Sequence, residues 1–206
     1  METQKDNFTD LTDIDDDNEE TVITKTASKE ILSITMADLF TADQCKQIRE
    51  TIIDELWLDV KVIGNEDLHK GFRQKLRGSV TDFPFLPIKE ITKQANDSIF
   101  DFDLLGIIDQ DYPQVFKYDT DQYYNYHVDI NPLAPSRKIS FIVNLTGSDE
   151  CQGGNIEFIN TTMNDDAHMK QGTIIIFPSF MPYRITPVTS GSKLIIVGHI
   201  HGALFK

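Results

Sequence analysis

Phe116-Lys-Tyr118-Asp-Thr-Asp-Gln122-Tyr-Tyr124-Asn-Tyr-His127-Val-Asp129 is the stretch on which this chain turns. His127 and Asp129 lie two residues apart. On an extended backbone they share one face, with Cα atoms roughly 6.6 Å apart, so an imidazole and a carboxylate can converge on one divalent cation. An H-x-D pair alone arises often by chance. A two-His, one-carboxylate iron centre also needs a second His from another strand. The pair is therefore informative only in a β-rich setting.

The surrounding sequence supplies that setting. Short apolar runs at Gln114–Tyr118, Lys138–Leu145, Asn155–Ile159, Thr173–Phe177, Tyr183–Pro187 and Lys193–Ile200 alternate with turn residues such as Asn131-Pro132, Gln152-Gly-Gly-Asn155 and Ser190-Gly191. Many short strands at regular spacing predict a sandwich or barrel. Upstream, Lys29 to Met36 alternates like a strand. Thr41-Ala-Asp-Gln44 then opens a helix with a capping box, and Ile48, Ile52, Ile53, Leu56 and Trp57 extend it to some four turns. A second helix is expected from about Pro87 to Phe100, with Ile88, Ile91, Ala95 and Ile99 on one stripe. Between the helices, polar residues Gly64 to Thr81 gather His69, Arg73, Lys75 and Arg77 and read as a loop. The fold class is α+β, helices first and a β-barrel after.

Charge and composition narrow the partners. The chain has 206 residues, 19 Lys+Arg against 33 Asp+Glu, and a net charge of −14. That argues against nucleic-acid binding, which needs clustered cations, and against an anionic membrane surface. No apolar run approaches the roughly 20 residues of a membrane span. Cys45 and Cys151 are too few for a disulfide scaffold and read as free thiols, which fits a reducing cytoplasm. Residues 1–20 carry nine acidic groups against Lys5 alone, a net of −8 with few apolar residues. Residues 1–21 are therefore expected to be an acidic disordered or loosely docked tail, and 22–206 a single domain. Asp13-x-Asp15-x-Asp17 opens like a calcium loop, but Asn18 stands where its Gly belongs and Thr24 where its Glu belongs.

The stretch from Phe116 to Asp129 resembles the prolyl 4-hydroxylase-like, PKHD-type family of Fe(II)/2-oxoglutarate-dependent dioxygenases. Arg137 to Leu145 looks like that family's next core strand, and Gly153-Gly-Asn-Ile-Glu-Phe158 like its hairpin. Phe177-Pro-Ser-Phe-Met-Pro-Tyr-Arg-Ile-Thr-Pro-Val-Thr-Ser-Gly-Ser-Lys193 and Val197-Gly-His-Ile-His-Gly202 continue the likeness, which covers roughly residues 30–202. It implies a double-stranded β-helix, a jelly-roll or cupin-like barrel, with the N-terminal helices packed on one sheet. It also implies Fe(2+) and 2-oxoglutarate, with ascorbate as an optional reductant. His127 and Asp129 match the family's first iron-binding His and its carboxylate. Tyr118 matches a tyrosine that hydrogen-bonds the co-substrate, Tyr124 a pocket aromatic, and Lys193 the cation that pairs with the far carboxylate of 2-oxoglutarate.

One departure stands out. Tyr183 occupies the place of the second iron-binding His, and His199 stands where the family usually has Trp. By the period of two, Lys193, Ile195, Val197 and His199 share a face, so His199 points into the barrel if Lys193 does. Three readings compete: Tyr183 ligates iron as a phenolate, His199 supplies the missing nitrogen, or metal binding is crippled and the fold survives as a binding module. His168 and His201 are expected to be a loop residue and a rim or exposed residue. The resemblance implies hydroxylation of a prolyl or other aliphatic side chain in a peptide or protein. The alternative is a silent module that binds a peptide or small acid.

Overall fold

The computed structural model describes residues 23–28, 31–36, 38–60, 62, 65, 67–159 and 170–205. The acidic stretch 1–21 and His168 lie outside the described residues. Fourteen strands are present among these residues: β1 Ile23–Ser28, β2 Ile31–Met36, β3 Leu58–Asp59, β4 His69–Lys70, β5 Phe72–Lys75, β6 Leu104–Gly106, β7 Gln114–Asp119, β8 Tyr123–His127, β9 Arg137–Asn144, β10 Cys151–Gly153, β11 Ile156–Phe158, β12 Ile174–Pro178, β13 Tyr183–Ile185 and β14 Val188–Gly202. The large sheet runs β1-β2-β12-β9-β14-β7-β5-β3, with β6 and β10 attached to β14; the small one runs β11-β13-β8-β4. All recorded pairings are antiparallel.

Helix α1, Ala42–Glu50, starts at the expected capping box. Thr41 Oγ1 accepts from the Gln44 amide at 3.2 Å, and Gln44 Oε1 accepts from the Thr41 amide at 2.8 Å. The helix is shorter than its apolar spacing suggested. The Gln74 side chain donates to the Ile53 carbonyl and accepts from the Ile53 amide, both at 3.1 Å, so those groups are taken by another strand. Leu56 then falls in a single 3-10 turn. Helix α2 spans Phe85–Ala95 and runs into a π-helical turn, Asn96–Phe100.

The expected loop at Gly64–Thr81 is a correction. It contains β4 and β5, and β5 pairs with β7 from Phe72↔Lys117 to Lys75↔Gln114. Gln74 and Leu76 are buried while Arg73, Lys75 and Arg77 are exposed, so the period of two is real. It is written largely in polar residues and hides from a hydropathy reading.

The two faces of the large sheet have different partners. Val115, Phe141, Val143, Ile174, Ile176 and Ile196 meet Cys45 and Ile48 of α1 and Phe85, Ile88 and Ile91 of α2. Tyr118, Ile142, Ile175, Phe177, Ile195 and Val197 meet Ile156, Phe158, Tyr183 and Ile185 of the small sheet. The barrel interior is thus the second cluster, and the helices cover one sheet as expected. Gly172 enters β12 at φ +85°, where an added Cβ would lie 1.7 Å from the Phe40 carbonyl oxygen. Only glycine fits there. Both cysteines are free thiols.

Candidate metal and co-substrate site

The register of the small sheet builds the site. β8 pairs with β13 so that His127 and Tyr183 are Cα partners, and β4 pairs with β8 so that His69 faces Tyr124. Tyr118 comes from β7 and His199 from β14. Together with Asp129 these side chains, His127 apart, line one cavity of about 200 Å³, joined by Arg73, Asp111, Tyr112 and Arg137.

His127 and Asp129 are prepared for a cation. His127 Nδ1 lies 2.8 Å from the Asn125 carbonyl, which can only accept, so Nδ1 carries a proton and Nε2 has the lone pair. That Nε2 is 3.6 Å from Asp129 Oδ1, and both side chains are 7% exposed. His127 Nε2 and Asp129 Oδ2 are buried without any hydrogen-bond partner. A bare imidazole nitrogen and a bare carboxylate oxygen in the interior are unfavourable unless something positive reaches them. Burial works against the Asp129 charge, yet His199 and His127 beside it hold its pKa well below the usual carboxylate range. The pair fits a divalent metal.

The third position does not offer a ready ligand. The Tyr183 hydroxyl donates to Asp129 Oδ1 at 3.3 Å, and its ring tilts against His127 at 4.3 Å. Burial first, and then the Asp129 carboxylate, push its pKa well above the ordinary value for a phenol. It is a neutral donor here, not a phenolate. His199 does face inward, as its parity with Lys193 predicted. Its Nδ1 is 3.9 Å from Asp129 Oδ2 and 3.2 Å from Ser140 Oγ. Ser140 donates its hydroxyl proton to Ser179 at 2.9 Å, so His199 Nδ1 is the donor toward Ser140. Burial lowers the His199 pKa to about 4 despite the pull of Asp129. Among the described residues no group of three or more His, Cys, Asp or Glu side chains forms a metal cluster.

Tyr118 and Lys193 are Cα partners across β7 and β14, so both enter the barrel. They then diverge. The Tyr118 hydroxyl meets His69 Nε2 at 3.0 Å in the metal-side cavity. Lys193, 3% exposed, lines a second cavity with Thr41, Cys151, Asn155 and Gln171. Its ammonium forms no ion pair among the described residues, and burial pushes its pKa down to about 8. A buried amine of this kind is a place for an anion.

The sequence of residues 113–201 matches the profile of the 2OG-Fe(II) oxygenase superfamily. That stretch carries Tyr118, His127, Asp129, Tyr183, Lys193 and His199. A PKHD-type hydroxylase of Synechococcus sp. (strain CC9311) is 35% identical over 78 residues, covering 37% of this chain and 36% of the relative. Another, from Azoarcus sp. (strain BH72), is 25% identical over 169 residues, covering 78% of this chain and 74% of the relative. The chain spans just over a third of the length of the first curated relatives it matches. A viral collagen prolyl hydroxylase from Paramecium bursaria Chlorella virus-1, solved with 2-oxoglutarate, superposes with a TM-score of 0.62 at 18% identity. The superposition covers 83% of this chain and 96% of that one. A Pseudomonas putida prolyl-4-hydroxylase gives 0.63 at 17% identity, covering 83% and 92%. These likenesses carry the fold, the double-stranded β-helix.

Further site residues escape a sequence reading. His69, 3% exposed, stacks on Tyr124 at 3.7 Å, and Tyr124 stacks on His127 at 3.4 Å. Burial first, then His127 and Arg73, lower the His69 pKa to about 3. Arg137 donates to the Asp129 carbonyl at 2.8 Å and grips Asp111 through two bonds of 2.6 and 2.8 Å. His201 also binds Asp111, at 2.9 Å, and is 2% exposed, which corrects its expected place at a rim or on the surface. The preponderance of cations in Gly64–Thr81 was the available signal for His69 and Arg73; nothing in the sequence pointed to Asp111.

Proposed function

We propose that this chain is an Fe(II)/2-oxoglutarate-dependent dioxygenase that hydroxylates a prolyl or other aliphatic side chain in a peptide or protein. The observation that carries the proposal is the pair of buried, partnerless atoms His127 Nε2 and Asp129 Oδ2. In this reading those two atoms hold the metal. Tyr183 secures the other carboxylate oxygen by its O–H and fixes Asp129 as a one-oxygen ligand. His69 orients the Tyr118 hydroxyl and Tyr124 braces the His127 ring, while Lys193, which lines the second cavity, neutralises the far carboxylate of 2-oxoglutarate only where the co-substrate reaches from the metal-side cavity into the second. Iron with 2-oxoglutarate supplies dioxygen activation, one oxygen going to succinate as carbon dioxide leaves and the other into a substrate C–H bond. Burial of the ring column excludes water from that chemistry.

Titration of the metal-free protein with Mn(II), followed by electron paramagnetic resonance, tests the metal site. His127→Ala and Asp129→Ala should each abolish binding; retention in both variants refutes the assignment. Tyr183 favours a second reading, a module that binds 2-oxoglutarate or a related acid without turnover, because a neutral phenol stands where a ligand is expected. Iron-dependent succinate formation separates the two readings.

A further inference from the structure

We propose that the substrate is an extended peptide carrying acidic residues, bound along β5 from the mouth of the metal-side cavity outward. This rests on the hydroxylase reading above and names the class of peptide it acts on. Arg73, Lys75 and Arg77 alternate with buried Gln74 and Leu76, so the three cations share one exposed face. None of the three forms an ion pair among the described residues. In a chain of net charge −14, three adjacent unpaired cations are a local reversal of sign.

The row is continuous with the site. Arg73 lines the metal-side cavity, while Lys75 and Arg77 line a surface groove of about 630 Å³ with Leu56, Leu58 and Tyr112. Tyr112 belongs to both, and the Lys75 ammonium sits 4.3 Å above its ring. Leu56 and Leu58 are 46% and 63% exposed, an apolar floor beside the cations. Alternate side chains of β5 are spaced roughly 6.6 Å apart, which is also the spacing of alternate side chains on an extended peptide. Carboxylates at every second position therefore match the row. A short peptide suits the feature better than a nucleic acid, whose long charged backbone meets the acidic remainder of the surface.

The test is fluorescence anisotropy on the full chain loaded with Mn(II) and 2-oxoglutarate. Three labelled probes are compared: a short proline-containing peptide with alternate Glu, its Gln counterpart, and a single-stranded oligonucleotide. The Glu peptide should bind at least several-fold tighter than the Gln peptide, and rising salt should erase the difference. Arg73→Ala, Lys75→Ala and Arg77→Ala should each weaken the Glu peptide about two- to five-fold with unchanged melting temperature. Lys75→Glu should abolish the preference for the Glu peptide over the Gln peptide. Equal affinity for Glu and Gln peptides overturns the proposal, as does tighter binding of the oligonucleotide. If Mn(II) and 2-oxoglutarate themselves fail to bind, the hydroxylase reading falls instead.

Discussion

Replacing Lys193 by Met tests the co-substrate site through stability as well as binding. The ammonium is 3% exposed, and burial lowers its pKa from 10.5 to about 8. At 1.36 kcal/mol per pH unit, holding the charge inside costs the unliganded protein roughly 3 kcal/mol. The sign is fixed by linkage. Below pH 8 both folded and unfolded states carry the proton, and the full cost is present. Between pH 8 and 10.5 the unfolded chain binds the proton and the folded one does not, so stability rises with pH until the cost is gone. Urea melts at pH 7 should therefore find Lys193→Met more stable than wild type by up to about 3 kcal/mol, the gap closing toward pH 10.5. Calorimetry should find that the same variant no longer binds 2-oxoglutarate, and that wild-type affinity declines as pH rises through about 8. A variant that is less stable at pH 7 and keeps its affinity for 2-oxoglutarate refutes the reasoning.

Tyr183→His should raise Mn(II) affinity by about ten-fold or more, since it returns an imidazole to a position opposite His127, and Tyr183→Phe should lower it slightly by freeing Asp129 Oδ1. Competition against a metal indicator distinguishes these from no change, which would mean that position 183 does not address the metal. Removal of residues 1–21, whose first twenty carry a net −8, should leave the melting temperature within a degree or two. Calorimetric scanning that records a fall of many degrees would mean the stretch is packed.

The sequence made some of this architecture legible and concealed the rest for definite reasons. The capping box at Thr41 and Gln44 was readable because N-cap chemistry is local, depending on residues three apart. Parity along Lys193, Ile195, Val197 and His199 was readable because a strand's period is rigid, and these side chains do turn inward. The end of α1 was not, because Gln74 captures the Ile53 backbone from 21 residues away. β4 and β5 were missed because their inward positions include His69 and Gln74, polar groups satisfied by Tyr118 and by Ile53. The divergence of Lys193 from Tyr118 was also beyond reach. Register made them neighbours, but the Tyr118 side chain joins the cluster of Ile142, Phe177 and Tyr183 while Lys193 lines the other cavity, and strand pairing alone does not decide that.

In the proposed dioxygenase reading, Tyr183 fills the place of the expected second imidazole without removing the grounds for a metal at His127 and Asp129. Its ring is 1% exposed and sits among Phe158, Phe177 and His127, so the aromatic mass of the barrel is kept. Its O–H gives Asp129 Oδ1 a partner, sparing half of a buried carboxylate. The other half remains bare: Asp129 Oδ2 and His127 Nε2 have no partner. Each such atom costs roughly 1–3 kcal/mol when nothing is bound. By that accounting, a module indifferent to metal would gain from an apolar residue at position 127 or an amide at 129. A cation bound to both atoms would recover that cost. Under the proposal, Tyr183 is an adjustment within a metal site, its phenol occupying Asp129 Oδ1 and leaving Oδ2 for the ion.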